Sequence, residues 1–309
     1  MRTGTLDEAA ERLARLLTGT STELGDPLDR AGDLVFDGDL ALRPLERAAA
    51  PADVWAVDGG QALVLDARCV SLLVTRAATV RYVGGSCVLE DEGELRATLL
   101  GLDPAVDANL VRDSGEWEAV SAAVDAADPG ALVLVDGDLQ PDWRIPSTFL
   151  AGLLERAAGR GVVLAGVTKH SSLSRGGAPL LGWLEREADT LLGPRALWWA
   201  PVGRTRTDVG GFQVVAARLD PDARFSFRVD LPLGVDPEPA LSALSALCDD
   251  AAFPGYPYPL SVADRLAACP GWIRADVRSQ LDDLFDRAGV PLEVRERAFA
   301  DRHDLMERA

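Results

Sequence analysis

Two short apolar runs end in the same way: Val54-Trp55-Ala56-Val57-Asp58-Gly59-Gly60 and Leu132-Val133-Leu134-Val135-Asp136-Gly137. Each reads as a buried strand that stops at its aspartate, the glycine then allowing a tight turn and close approach of a ligand to the backbone. Ligands of α/β sheets gather at strand ends. If the two strands are neighbours, Asp58 and Asp136 lie within a few ångströms of each other. Two such carboxylates repel unless they share a proton or a cation. Mg²⁺ or Mn²⁺ relieves that repulsion, because hard divalent ions prefer carboxylate oxygen. One or two such ions activate water and clamp a phosphodiester. Asp-Gly is also a common turn, so spacing alone leaves both a metal site and a pair of ordinary turns open.

A third apolar run, Gly161 to Ser172, closes in Val167-Thr168-Lys169-His170-Ser171-Ser172. Lys169 is the only lysine in a chain whose other cations are arginines. An ammonium there suits neutralisation of a phosphate as a point charge, and a solvated loop lysine is the plainer alternative. His170 reads as a loop residue. Farther on, Gly255-Tyr256-Pro257-Tyr258-Pro259-Leu260 leads into a helix containing Ala263-Asp264-Arg265. The prolines stiffen that entry, and the rings can pack or stack on a base. Asp264 falls in the second helical turn, within reach of a metal or paired at the surface with Arg265. GxxxxGK[ST], GxSxG, HExxH and GxGxxG patterns are all missing. Two histidines, His170 and His303, are too few for a His-rich metal centre or a Ser-His-Asp site.

The elements that must position these residues follow from periodicity. Residues 5–18 repeat apolar positions at helical spacing. Residues 62–83 read as two strands punctuated by Gly84-Gly85, forming an antiparallel meander beside the first strand. A long helix runs from Pro104 to about Ala127 with a break at Gly115, and Ser147 caps a helix reaching Ala158. Strand-helix-strand order over 131–172 implies a parallel pair. A helix over 178–192, strands at LWWAPV, GFQVVAARL and RFSFRVDL, and helices near 237–250, 260–269, 274–288 and 291–307 complete one α/β domain with helices at both ends.

The chain has 309 residues, 31 basic against 49 acidic, and a net charge of −18. That disfavours a broad basic surface for nucleic acid but leaves room for a confined site reached through metal ions. No stretch approaches the roughly 18 uninterrupted apolar residues of a membrane span, and the first residues read as an amphipathic helix, not a signal peptide. Cys69, Cys87, Cys248 and Cys269 are far apart and form no CxxC pair, which fits a reducing cytoplasm.

Taken in order, several segments resemble the NurA nuclease family: AVDGG at 56–60, the helix with Arg112 and Glu116/Glu118, LVLVDGDL at 132–139, GVTKHSS at 166–172, FRVDL at 227–231 and GYPYPLSVADRLA at 255–267. The resemblance implies a ribonuclease H-like mixed sheet flanked by helices. Residues 1–50 would be an N-terminal helix and irregular arm, 51–235 the core, and 236–309 helices that complete the site. It implies a Mn²⁺-dependent DNA nuclease of end resection at double-strand breaks, with Mg²⁺ as the alternative ion. Such proteins act as homodimers on a hexameric HerA-type ATPase. Asp58 and Asp136 then match metal ligands, and Lys169 a lysine that positions phosphate or nucleophile. Glu118, or else Glu116, matches the helix carboxylate, with Glu118 the preferred assignment. Tyr256 and Tyr258 fall where the family places an aromatic near the site and are assigned to substrate.

Two positions depart from the family. Gly60 stands where it usually has serine, and Asp264 where it usually has histidine. Aspartate completes an all-carboxylate set with Asp58 and Asp136 but cannot act as a neutral imidazole base near pH 7. The sequence therefore supports a metal-dependent nuclease first. A non-catalytic subunit that docks on a HerA-type motor and threads or gates DNA comes second, and a metal phosphohydrolase of small phosphate esters third.

Overall fold

The structure is a computed structural model and describes residues 5–18, 23–25, 34–206 and 210–300. Along the chain run α1 (Leu6–Thr18), β1 (Leu24–Gly25), β2 (Leu34–Phe36) and β3 (Arg43–Pro44), then β4 (Asp53–Asp66), β5 (Ser71–Val83), β6 (Ser86–Asp91) and β7 (Arg96–Leu100). Next come α2 (Ala108–Ala126), β8 (Leu132–Asp136), α3 (Ser147–Arg160), β9 (Val163–Thr168), β10 (Ser174–Arg175), β11 (Ala178–Pro179) and α4 (Leu180–Leu191). Strands β12 (Trp198–Thr205), β13 (Phe212–Arg218) and β14 (Phe227–Pro232) precede α5 (Pro237–Ser245), α6 (Tyr258–Ala267), α7 (Gly271–Arg287) and α8 (Leu292–Phe299).

Eleven strands form one mixed sheet along the path β2-β12-β13-β14-β9-β8-β4-β5-β6, with β3 beside β12 and β7 beside β5. The pairs β4–β8 and β8–β9 are parallel. Their strands are apolar almost throughout because helices cover both faces of the sheet there. Side chains alternate between those faces. Trp55, Val57, Val133 and Val135 join the core beneath α2, α3 and α4. Val54, Ala56, Leu132, Leu134, Ala165 and Val167 join the core beneath α5 and α6. That parity carries Asp58, Asp136 and Lys169 to the α6 side. Among the described residues no helix is long and apolar enough to cross a membrane.

Several expectations change. The strand expected to stop at Asp58 runs on to Asp66, and what reads as two strands over 62–83 is the rest of β4 followed by β5. The reason is that β5 pairs with β4 along its whole length, from Asp53↔Val83 to Asp66↔Ser71. Only the parallel partner ends, at Val57↔Val135. Helix α2 has no break at Gly115, and its N-cap is Asp107, whose side chain accepts from the Leu110 amide. Ser147 is the first residue of α3, not its cap; Pro146 precedes it. Helix α1 buries none of its residues. His303 lies outside the described residues.

Candidate metal centre

The ends of β8 and β9, the middle of β4 and the second turn of α6 converge. One carboxylate oxygen each from Asp58, Asp136 and Asp264 lies within 4.8 Å of the others. Asp58 is 7% exposed. It accepts a hydrogen bond from the Gly59 amide at 2.7 Å. Burial, and then the neighbouring Asp136 charge, push its carboxyl up to about 7. Asp136 is raised too, by burial, against the pull of Lys169. The Lys169 ammonium sits 2.6 Å from Asp136 and 2.7 Å from Asp264. Burial disfavours its charge, but these two pairs outweigh burial and hold it protonated. Its Nζ also lies 5.1 Å from the centre of the Tyr256 ring.

A fourth carboxylate arrives from the opposite face of the sheet. Glu116 on α2 is 4% exposed. Its Oε2 lies 2.7 Å from where a Cβ on Gly59 would be. The missing side chain at Gly59 is thus the opening through which Glu116 reaches the Asp58 side. Burial, and then the Asp58 charge, raise the Glu116 carboxyl well above the usual range. The next glycine serves the other face. A Cβ on Gly60 would fall 1.8 Å from the Ala267 carbonyl oxygen at the end of α6. Arg76 on β5 donates to the same carbonyl at 3.2 Å. Gly60 and Arg76 therefore seat α6, and with it Asp264, against the sheet.

Three carboxylates grouped around one ammonium leave the cluster short of positive charge. Its donors are all oxygen, the set that suits a hard divalent ion. Asp58, Asp136 and Asp264 are the residues that would hold one, with Glu116 beside Asp58.

No family model matches the sequence, and no curated protein matches it. Solved structures do. The NurA nuclease from Sulfolobus solfataricus superposes with a TM-score of 0.61 at 14% identity, covering 92% of this chain and 95% of that one. A structure of NurA with manganese gives 0.50 at 10% identity, covering 79% and 91%.

The chain has a NurA-like fold.

Its core is the ribonuclease H-like mixed sheet flanked by helices that the resemblance implies. Within this NurA-like frame the structure brings together Asp58, Asp136, Lys169 and Asp264 and leaves other candidates outside. Glu118 is turned to solvent, paired with Arg96 at 2.7 Å. The helix carboxylate at the cluster is Glu116, two residues earlier and so on another side of α2. Tyr256 is 1% exposed, packed on Phe227 at 5.4 Å, and cannot stack on a base. Its hydroxyl is buried against Asp136 without a hydrogen bond of ordinary geometry. Tyr258 packs edge-on against Tyr82 at 5.1 Å. His170 is exposed. Asp264 pairs with Lys169, not with Arg265.

Sequence reasoning passed over the part played by the FRVDL segment. Asp230 is wholly buried and takes two 2.8 Å bonds from Arg228 on the same strand. It also accepts from the Leu139 amide at 3.0 Å. Arg228 lies 3.4 Å from Asp138. This pair pins the turn that follows Asp136. The visible signal was two opposite charges spaced by two residues in an otherwise apolar strand, which puts both on one buried face.

Proposed function

We propose that this protein is a metal-dependent nuclease that hydrolyses DNA phosphodiester bonds. The observation that carries this is the convergence of Asp58, Asp136 and Asp264 within 4.8 Å. NurA bound to manganese is among the structural neighbours, and Mn²⁺ is the ion we assign, with Mg²⁺ the alternative. When bound, such an ion lowers the pKa of water and polarises a phosphoryl oxygen. The chain's own residues hold and orient. Asp58 and Asp136 are fixed on adjoining parallel strands. Lys169, tethered between Asp136 and Asp264, offers its ammonium to a phosphate oxygen. Tyr256 walls the site beneath Lys169 and Asp136.

In the same reading the protein is a cytoplasmic homodimer that works in end resection and double-strand break repair with a HerA-type hexameric ATPase. A dimer encloses DNA in a narrow channel, which reconciles a charge of −18 with a polyanionic substrate.

One observation favours a second reading. The Lys169 ammonium already bridges Asp136 and Asp264, so the cluster can balance part of its charge internally. A non-catalytic subunit docked on a HerA-type motor would need no more. The Gly60 departure does not add to that reading, since the seat of α6 demands glycine there.

The test is cleavage of labelled linear DNA, single- and double-stranded, with Mn²⁺, Mg²⁺ or EDTA, using Asp58→Asn as control. Metal-dependent cutting that the variant loses supports the nuclease. An Asp58→Asn protein that cuts like the wild type overturns the site. No cutting even with a HerA-type partner, and no Mn²⁺ binding by calorimetry, selects the docking subunit.

A further inference from the structure

Arg112 lies one turn before Glu116 on α2. Its side chain crosses the same opening, with Cγ 3.3 Å from where a Gly59 Cβ would be. On its other side it lines a cavity of about 230 Å³ between α2 and the outer strands of the sheet, together with Thr75, Arg76, Arg96 and Glu118. The other two arginines of that cavity have partners. Arg76 pairs with Glu92 at 2.9 Å and donates to the end of α6. Arg96 pairs with Glu118 at 2.7 Å. Arg112 differs. Its Nε is buried with no hydrogen-bond partner among the described residues. Among the described residues its one ion pair is with its chain neighbour Asp113 at 3.8 Å, beyond hydrogen-bond reach, and its charge also attracts the Glu116 carboxylate one turn on. A guanidinium presents five donors in a planar fork that matches the spacing of phosphate oxygens, and a buried donor left unpaired is costly.

We infer that Arg112 is a substrate-binding residue: its guanidinium takes a phosphate of the nucleic-acid strand on the α2 side of the carboxylate cluster, and the cavity receives the adjoining stretch of strand. The inference rests on the nuclease reading and names a contact within it. Arg112 is in place before substrate arrives, held by α2 against Gly59, and the 35% of its side chain that is exposed leaves the guanidinium open to an incoming acceptor. Arg76 and Arg96 hold the cavity walls and contribute background positive charge.

The test compares wild type, Arg112→Ala and Arg112→Lys in three measurements: steady-state cleavage of a hydroxyl-ended oligodeoxythymidine with Mn²⁺, Mn²⁺ binding by calorimetry, and oligonucleotide binding by fluorescence anisotropy in Ca²⁺. Arg112→Ala is expected to raise KM about tenfold, as for loss of a charge-assisted contact, with kcat changed by no more than about twofold. Mn²⁺ affinity stays as in the wild type, and Arg112→Lys recovers part of the loss. The salt dependence of binding flattens by about 0.7 in log–log slope, the signature of one phosphate contact on a single strand. Unchanged KM and anisotropy in Arg112→Ala overturn the inference. So does a fall in Mn²⁺ affinity with oligonucleotide binding intact, which would make Arg112 the counter-charge of Glu116. A wild type that binds the oligonucleotide through Arg112 yet never cuts sinks the nuclease reading and leaves the contact standing. A wild type that does not bind sinks the contact.

Discussion

Gly60 and Ala267 meet backbone to backbone: a Cβ on Gly60 would lie 1.8 Å from the Ala267 carbonyl oxygen. Gly60 is therefore a position where no side chain fits without moving α6. Gly60→Ser, although it introduces the serine of the family that the sequence resembles, is expected to destabilise the fold by about 2 kcal/mol or more, the usual scale of overpacking against an unyielding neighbour. It should also weaken metal binding, because α6 carries Asp264. Denaturant unfolding and Mn²⁺ calorimetry check both. Wild-type stability in Gly60→Ser would show that α6 sits farther from the sheet.

Glu116 and Glu118 differ by two residues and belong to different environments. Glu116→Gln removes a buried carboxylate beside Asp58 and should weaken Mn²⁺ binding and cleavage by at least tenfold, a usual effect for a group that orients metal ligands. Glu118→Gln loses an exposed pair with Arg96, worth about 0–1 kcal/mol, and should leave Mn²⁺ affinity and kcat at their wild-type values. Side-by-side rate measurements decide which glutamate serves the site.

The buried Arg228–Asp230 pair holds the turn after Asp136. Arg228→Met leaves Asp230 wholly enclosed and without its arginine partner. The expected cost is about 3–5 kcal/mol, read as a lowered unfolding midpoint. Arg228→Met combined with Asp230→Leu should recover much of that loss, since an apolar pair of similar volume removes the stranded carboxyl.

Asp58 gives the site its pH dependence. Its carboxyl is held up at about 7, above the ordinary 3.8, because burial and Asp136 favour the neutral form. Raised in the fold, it stabilises the metal-free protein at low pH, and that contribution is lost as pH rises from about 4 through 7. Metal-free protein should therefore unfold more easily at pH 8 than at pH 5.5, as far as this group decides it. Metal binding runs the other way. A ligand must lose its proton to bind, so Mn²⁺ affinity should rise about tenfold per pH unit below 7 and level off above. Calorimetry in buffers of different ionisation enthalpy counts the proton released; a flat profile would show that Asp58 is not a ligand.

By itself the sequence determined most of the elements and brought forward the residues of the candidate site. Apolar runs ending in Asp58 and Asp136, the only lysine at the end of a third run, and an aspartate two turns into a proline-led helix are local patterns. That Asp58, Asp136 and Lys169 share one face follows from the parallel register of β4, β8 and β9, with Val57 beside Val135 and Asp136 beside Val167. What only the tertiary structure decided depends on contacts distant in sequence. Strand β4 continues past Gly59-Gly60 because β5 pairs along all of it, and a strand's own residues do not reveal how far its partner extends. Glu116 takes precedence over Glu118 because α2 turns that side toward Gly59, and a helix with polar and apolar residues on every side does not declare which it buries. Tyr256 lies in the core and not on the substrate because Phe227 and Phe253, from separate elements, close over it. Asp264 meets Lys169 across 95 residues of chain, because Gly60 lets a helix approach a strand more closely than any side chain would permit.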